Sequence, residues 1–316
     1  MKIAVGQLAP VLLDREATVK KAADAVTEAA RNGAAVVAFG ETFIPAYPVW
    51  LARQNASRFE ADDVKRVHAA YLEQAVDLAA GDLDVLCDAA RTAGVHVVTG
   101  VAERAHDRGS HSIYCSAVTI GPDGSVLSAH RKLMPTYEER LSWAIGDGAG
   151  LVTHRVGEFT MGSLNCWENW MPLARASLHA QGEDLHVAIW PGCERLTSDI
   201  TRFAAREGRS FVVSASGIIR ASDVPASFPE RASWVHDEDE AFYDGGSCVA
   251  GPDGRWVVEP VVGREEIVYA DIDRARVLEE RQNFDPSGHY ARPEVLGLTV
   301  DRRRHSAATF IDGTPG

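Results

Sequence analysis

The sequence lacks any apolar run near the ~18–20 residues that a membrane-spanning helix requires, so no membrane partner is expected. It also opens without a secretory apolar region, because Met1–Gln7 passes directly into a core-like strand. Cysteine is sparse: its five copies, an odd number with no CxxC pair, form neither a disulfide framework nor a zinc knuckle. Free thiols in a reducing cytoplasm are the simplest expectation. Positive charge is in deficit, with 32 Lys and Arg against 45 Asp and Glu and a net charge of −13, which argues against nucleic acid as the partner. The dense basic run Arg302-Arg303-Arg304 reads as a solvated or subunit-contacting tail, and the acidic run Asp237–Glu240 as a solvated loop. There is no HExxH, no GxSxG elbow, and no ligand spacing among the 11 histidines, so no metal site is expected. The segment Gly146-Asp147-Gly148-Ala149-Gly150 has glycines of a dinucleotide loop but precedes a strand, and reads as a turn.

What is present is an ordinary globular composition, 46% apolar and 24% charged, over 316 residues with no Gly-, Pro- or Ser-rich linker. Ile3–Leu8 and Ala35–Phe39 are short apolar runs of the kind buried on both faces of a sheet, and Val95–Val101, Val187–Trp190 and Phe211–Ser216 also read as strands. Helical spacing follows Asp14 as far as Gly33, and returns over Val64–Ala80, Leu83–Thr92 and Ser198–Gly208. Two copies of the turn tetrad GPDG, Gly121–Gly124 and Gly251–Gly254, sit inside hairpins and hint at a duplicated α/β unit. Hairpins mixed with β–α units point to stacked sheets covered by helices.

Three polar residues stand at or just after the ends of such strands: Glu41, Lys132 and Cys166. A thiol is mostly protonated at neutral pH and needs a base to become a nucleophile. A carboxylate can take that proton and later return it, while an ammonium can stabilise negative charge on the attacked group. Against this, a lone cysteine is more often a small packing residue. That reading is assigned to Cys87, Cys115, Cys193 and Cys248.

The segments Phe39–Pro48, His130–Arg140 and Asn165-Cys166-Trp167-Glu168-Asn169, followed by Trp190-Pro191-Gly192 and Asp285–Tyr290, resemble the nitrilase branch of the nitrilase superfamily in order along nearly the whole chain. The resemblance implies a four-layer αββα sandwich of one domain over residues 1–290, with a C-terminal tail, 291–316, at a subunit interface. It further implies Glu41 as general base and acid, Lys132 as cationic stabiliser, Cys166 as nucleophile, and Glu139 as a second glutamate that positions substrate or water. Glu139 could instead pair with Lys132 or Arg140. The Trp167 N–H would complete an oxyanion pocket.

The expected activity is hydrolysis of an organic nitrile to a carboxylic acid and ammonia, with no cofactor. Tyr47, Trp50, Trp167 and Trp190 are candidates for an apolar pocket around an uncharged substrate, with Trp50 and Trp190 equally readable as core aromatics. His289 could reach a catalytic group or make a structural hydrogen bond. An amidase-like or amide-releasing enzyme is the alternative. A silent binding or assembly protein is less consistent with the intact Glu–Lys–Cys set. The resemblance implies a homodimer or larger homo-oligomer.

Overall fold

The first half of the chain builds strands β1 (Lys2–Gln7), β2 (Ala34–Phe39), β3 (His96–Arg104), β4 (Ile113–Ile120) and β5 (Val126–Arg131). The second half builds β6 (His154–Val156), β7 (Phe159–Asn165), β8 (Leu185–Trp190), β9 (Phe211–Ser216), β10 (Ile218–Arg220), β11 (Ala241–Ala250), β12 (Trp256–Val262) and β13 (Glu266–Asp271). The helices are α1 (Arg15–Arg31), α2 (Trp50–Arg53), α3 (Asp62–Gln74), α4 (Asp84–Ala93), α5 (Pro172–His179), α6 (Glu194–Gly208) and α7 (Arg274–Arg281). These elements belong to a computed structural model that describes residues 1–309 and 311. The last residues of the expected tail, 310 and 312–316, lie outside the described residues.

Two sheets form, in the orders β13-β1-β2-β3-β4-β5 and β6-β7-β8-β9-β11-β12, with β10 also pairing β11. Each has the same plan. Three central strands run parallel (β1-β2-β3 and β7-β8-β9), an antiparallel strand flanks one side (β13 or β6), and an antiparallel pair flanks the other. That pair is joined in both sheets by a GPDG turn. Gly124 and Gly254, both at positive φ, lie against the backbone of α4 and α6 respectively. The tetrads therefore mark corresponding corners of a duplicated unit.

The central strands are apolar at consecutive positions because both of their faces are covered. In β1 and β2, Ile3, Val5, Val36 and Ala38 face the second sheet, where they meet Leu185, Val187, Ile189 and Val213. The alternate residues Ala4, Val37 and Phe39 pack beneath the alanine-rich faces of α1 and α4. In the second sheet, Ala188, Trp190 and Val212 turn outward to α6. The layers are α, β, β, α in one domain.

Local boundaries follow identifiable contacts. Asp14 caps α1 by accepting from Ala17 N at 2.9 Å. The helix expected to continue to Ala80 stops at Gln74. Beyond it, Val76 is drawn to β3, donating its N–H to Ala102 O at 2.7 Å and accepting from Arg104 N at 2.8 Å. The strand β6 is only three residues long, and β10 follows β9 after a single residue, Gly217. The helices α5 and α7, eight residues each, were not marked by periodicity.

Candidate active site

The site is assembled where β2, β5 and β7 end. Gly40 and Glu41 follow β2 at a point where the two sheets nearly touch: Glu41 N donates to Trp190 O of the second sheet at 2.9 Å. Gly100 of β3 presses against the same turn, and a Cβ there would lie 2.2 Å from Thr42 N. Only glycine allows that approach. Lys132 follows β5, whose final residue, Arg131, is anchored by Glu103 at 2.6 Å and Asp107 at 2.7 Å. The Lys132 N–H donates to Cys115 O on β4 at 2.7 Å.

Cys166 follows β7 in the left-handed region, at φ 42°, and opens a short 3-10 helix, Cys166–Trp170. Such a backbone is uncommon for a residue with a Cβ and persists only where its surroundings hold it. Here Asn169 Nδ2 donates to Cys166 O at 2.8 Å. Asn169 is itself held through its Oδ1 by His186 at 2.7 Å, and His186 by Glu183 at 2.7 Å.

These arms bring four chemical groups together. Lys132 Nζ donates to Glu41 Oε1 at 2.8 Å and to Glu139 Oε2 at 2.6 Å, with all three side chains essentially inaccessible. The Cys166 Sγ and carboxylate oxygens of Glu41 and Glu139 lie within 4.8 Å of one another. That donor set could in principle ligate a metal, but the Lys132 ammonium already supplies the positive charge between the carboxylates. Glu139 also accepts from Tyr47 OH at 2.8 Å and from Thr136 N at 2.6 Å, the latter as part of a capping box on its own 3-10 turn. Its pairing is with Lys132; Arg140 turns away to Pro135 O.

Electrostatics in this buried cluster follow from desolvation and charge. Burial pushes the Glu41 carboxyl up from its usual range to about 7, opposed by Lys132 and assisted by Glu139. Burial also pushes the Cys166 thiol well up, as does the Glu41 charge, whereas Lys132 and the Trp167 N–H favour the thiolate. The Lys132 ammonium is held well above its ordinary value by Glu41, Cys166 and Glu139, against the opposing effect of burial. Near neutral pH the proton therefore rests on the Cys166 sulfur, with Glu41 close to its midpoint and able to accept it.

The expected pocket residues separate. Tyr47 lines a cavity of about 240 Å³ together with Pro48, Val49, Arg53, Phe242 and Tyr243. Tyr47 and Tyr243 meet edge to face at 5.3 Å, and the Tyr47 hydroxyl bonded to Glu139 links the cavity wall to the buried cluster. Trp50 does not line it: the ring is buried against Tyr71 and Phe228. Trp190 is likewise fully buried, donating to Ser214 Oγ at 3.1 Å while packing against Cys166 from behind. Trp167 is nearly half exposed, beside Trp170. His289 is exposed and meets the Tyr290 ring edge-on. The Arg302–Arg304 run is in part tied to its own chain, with Arg304 paired to Asp147 at 3.0 Å.

Several partners were not singled out from the sequence. Glu168, buried inside the Cys-Trp-Glu-Asn run, accepts from Leu133 N at 2.6 Å, Asn165 N at 2.9 Å and His130 at 3.1 Å. It thereby ties the segment after Lys132 to the residue before Cys166. His130 holds its carboxyl below the usual range despite burial. Its place inside the quoted run was the only signal.

Comparison with known proteins agrees with this geometry. The carbon-nitrogen hydrolase family model matches residues 2–282. An aliphatic nitrilase from Sinorhizobium fredii (strain HH103) is 37% identical over 307 residues, covering 97% of each chain. Nitrilase 2, from an unknown prokaryotic organism, is 34% identical over 313 residues, covering 98% of this chain and 96% of that protein. The solved structure of Saccharomyces cerevisiae Nit3, a member of the nitrilase superfamily, superposes with a TM-score of 0.68 at 18% identity, covering 92% and 96% of the two chains, a likeness of fold. With the family matched across almost its full length, the chain belongs to the carbon-nitrogen hydrolases.

Proposed function

We propose that this protein hydrolyses an organic nitrile to a carboxylic acid and ammonia, with Cys166 as nucleophile, Glu41 as general base and acid, and Lys132 as the cation that stabilises developing negative charge. The observation that carries the reading is the buried convergence of thiol, carboxylates and ammonium at three strand ends. In the proposed sequence, Glu41 takes the Cys166 proton as sulfur bonds to the nitrile carbon, and passes it to nitrogen, giving a thioimidate. One water adds, the carbon–nitrogen bond breaks, ammonia leaves and a thioester remains. A second water, deprotonated by Glu41, displaces the thiol and releases the acid. A carboxyl poised at about 7 suits a group that must alternate between base and acid. Glu139 fixes Lys132 and orients the attacked group or water.

A nitrile is favoured over an amide because relatives matched along the whole chain are named nitrilases. Measuring ammonia, amide and acid from a panel of aliphatic, aromatic and arylacetic nitriles distinguishes this from an amidase-like or amide-releasing activity. The Cys166→Ala variant is expected to lose at least about 10⁴-fold in turnover, the scale seen when a covalent nucleophile is removed. Retained turnover, or no adduct on Cys166 by mass spectrometry, would sink the assignment.

We also infer an assembled, cytoplasmic enzyme. All five thiols are unpaired, which fits a reducing compartment, and no helix among the described residues is long and apolar enough to cross a membrane. Exposed Trp167, Trp170, Met171, Leu173 and Phe203 offer an apolar surface suited to a second copy. The catalytic domain is assigned to 1–290 and the tail to 291–316. Light scattering that shows a stable monomer would contradict the dimer or larger oligomer.

A further inference from the structure

A second thiol lies inside the site. Cys115 on β4 is fully buried, and its Sγ is 3.4 Å from Glu41 Oε1 and 3.6 Å from Asn165 Oδ1. Its carbonyl accepts the Lys132 N–H at 2.7 Å. One residue therefore touches the carboxylate, the backbone of the ammonium-bearing residue, and the residue preceding the nucleophile. Glu41 Oε1 receives both Lys132 Nζ and the Cys115 thiol, whereas Oε2, equally buried, has no hydrogen-bond partner among the described residues.

We propose that Cys115 is a positioning residue for Glu41: its S–H anchors Oε1 together with Lys132, leaving Oε2 as the oxygen that exchanges the proton with Cys166 and substrate. A thiol carries one proton and can serve only one of its acceptors fully. When Glu41 is ionised, the S–H turns to Oε1 and stabilises the carboxylate. When Glu41 has taken the Cys166 proton, that charge is gone and the Asn165 Oδ1 becomes the competing acceptor. The bond thus favours the basic form of Glu41 and shapes when it can act. Cys115 itself is a poor nucleophile, because burial and the adjacent Glu41 charge push its thiol well above its usual range.

The proposal rests on the nitrilase reading and is tested separately from it. In Cys115→Ala the carboxylate loses a donor, so the acidic limb of the kcat/KM profile should move to higher pH. At pH 7 the loss should be about fivefold, the scale of one typical hydrogen bond, as suits a weak S–H donor. Cys115→Ser, which keeps a donor, should return the limb toward its original place. A residue that only packs would lower thermal stability in both variants and leave the pH profile where it was; that result overturns the proposal. Loss of all turnover in Cys166→Ala, with normal turnover and an unmoved limb in Cys115→Ala, would reject the role of Cys115 while sparing the reaction. If no nitrile is turned over, the pH dependence of Cys166 alkylation by iodoacetamide supplies the same limb. An alkylation limb unchanged between wild type and Cys115→Ala rejects the proposal there too.

Discussion

Replacing Lys132 with methionine removes the cation from between Glu41 and Glu139 and keeps a side chain of similar length. Both carboxylates are buried, and their hydrogen bonds to Nζ are 2.8 and 2.6 Å. Breaking one partner out of a buried ion pair costs about 3–5 kcal/mol, because the remaining charge is stranded in a poor solvent. The deficit should depend on pH. In the native protein the Glu41 carboxyl is raised to about 7 from an ordinary 4.5, so the folded state binds its proton more tightly than the unfolded chain. Stability from that group is fully present below about pH 4.5 and is lost as pH rises through about 7. Without the ammonium the carboxyl is pushed higher still, and the variant can escape the stranded charge by holding a proton. The difference between Lys132→Met and wild type should therefore be small near pH 5 and approach about 3–5 kcal/mol near pH 8. Urea unfolding at both pH values and one protein concentration measures it. An equal deficit at the two pH values, or one below about 1 kcal/mol at pH 8, refutes the reasoning, since the pair would then be weakly coupled.

Two further substitutions probe the scaffold. Glu168→Gln turns an acceptor toward the Leu133 and Asn165 N–H groups into an amide with one acceptor oxygen. We expect a loss of about 2–3 kcal/mol in urea unfolding and reduced ammonia release; unchanged stability would show that the clamp between the Lys132 and Cys166 segments is dispensable. Gly100→Ala places a methyl 2.2 Å from Thr42 N and 2.5 Å from Gly40 O, against backbone that cannot move without carrying Glu41 with it. It should cost at least about 3 kcal/mol. Gly94→Ala, at φ 67° in open space, should cost only about 1 kcal/mol. Similar midpoints for the two alanine variants would contradict the close approach of the sheets at Glu41.

Much of the architecture was legible in the chain because its signals are local. Consecutive apolar residues in Ile3–Val5 and Val36–Phe39 require cover on both faces of a strand, and GPDG requires a tight turn whatever surrounds it. The candidates Glu41, Lys132 and Cys166 were legible by position and by resemblance, since each follows a strand in a quoted segment. Short elements were not. An eight-residue helix such as α5 carries too few turns for periodicity, and α3 ends where a tertiary bridge at Val76 outcompetes helical propensity. A buried aromatic gives no sign of which neighbour it will meet, so Trp50 and Tyr243 could not be sorted into core and cavity from sequence.

The sequence by itself determined the strand pattern, the duplicated turn and the candidate thiol, carboxylate and ammonium at three strand ends. Only the tertiary structure decided that Glu139 shares the Lys132 ammonium, that Glu168 ties the arms together and that Cys115 touches Glu41. The physical reason is range. Helix and turn preferences act over a few neighbouring residues. The charge balance of a buried site is set by groups that chain folding brings within hydrogen-bonding distance from positions up to 92 residues apart.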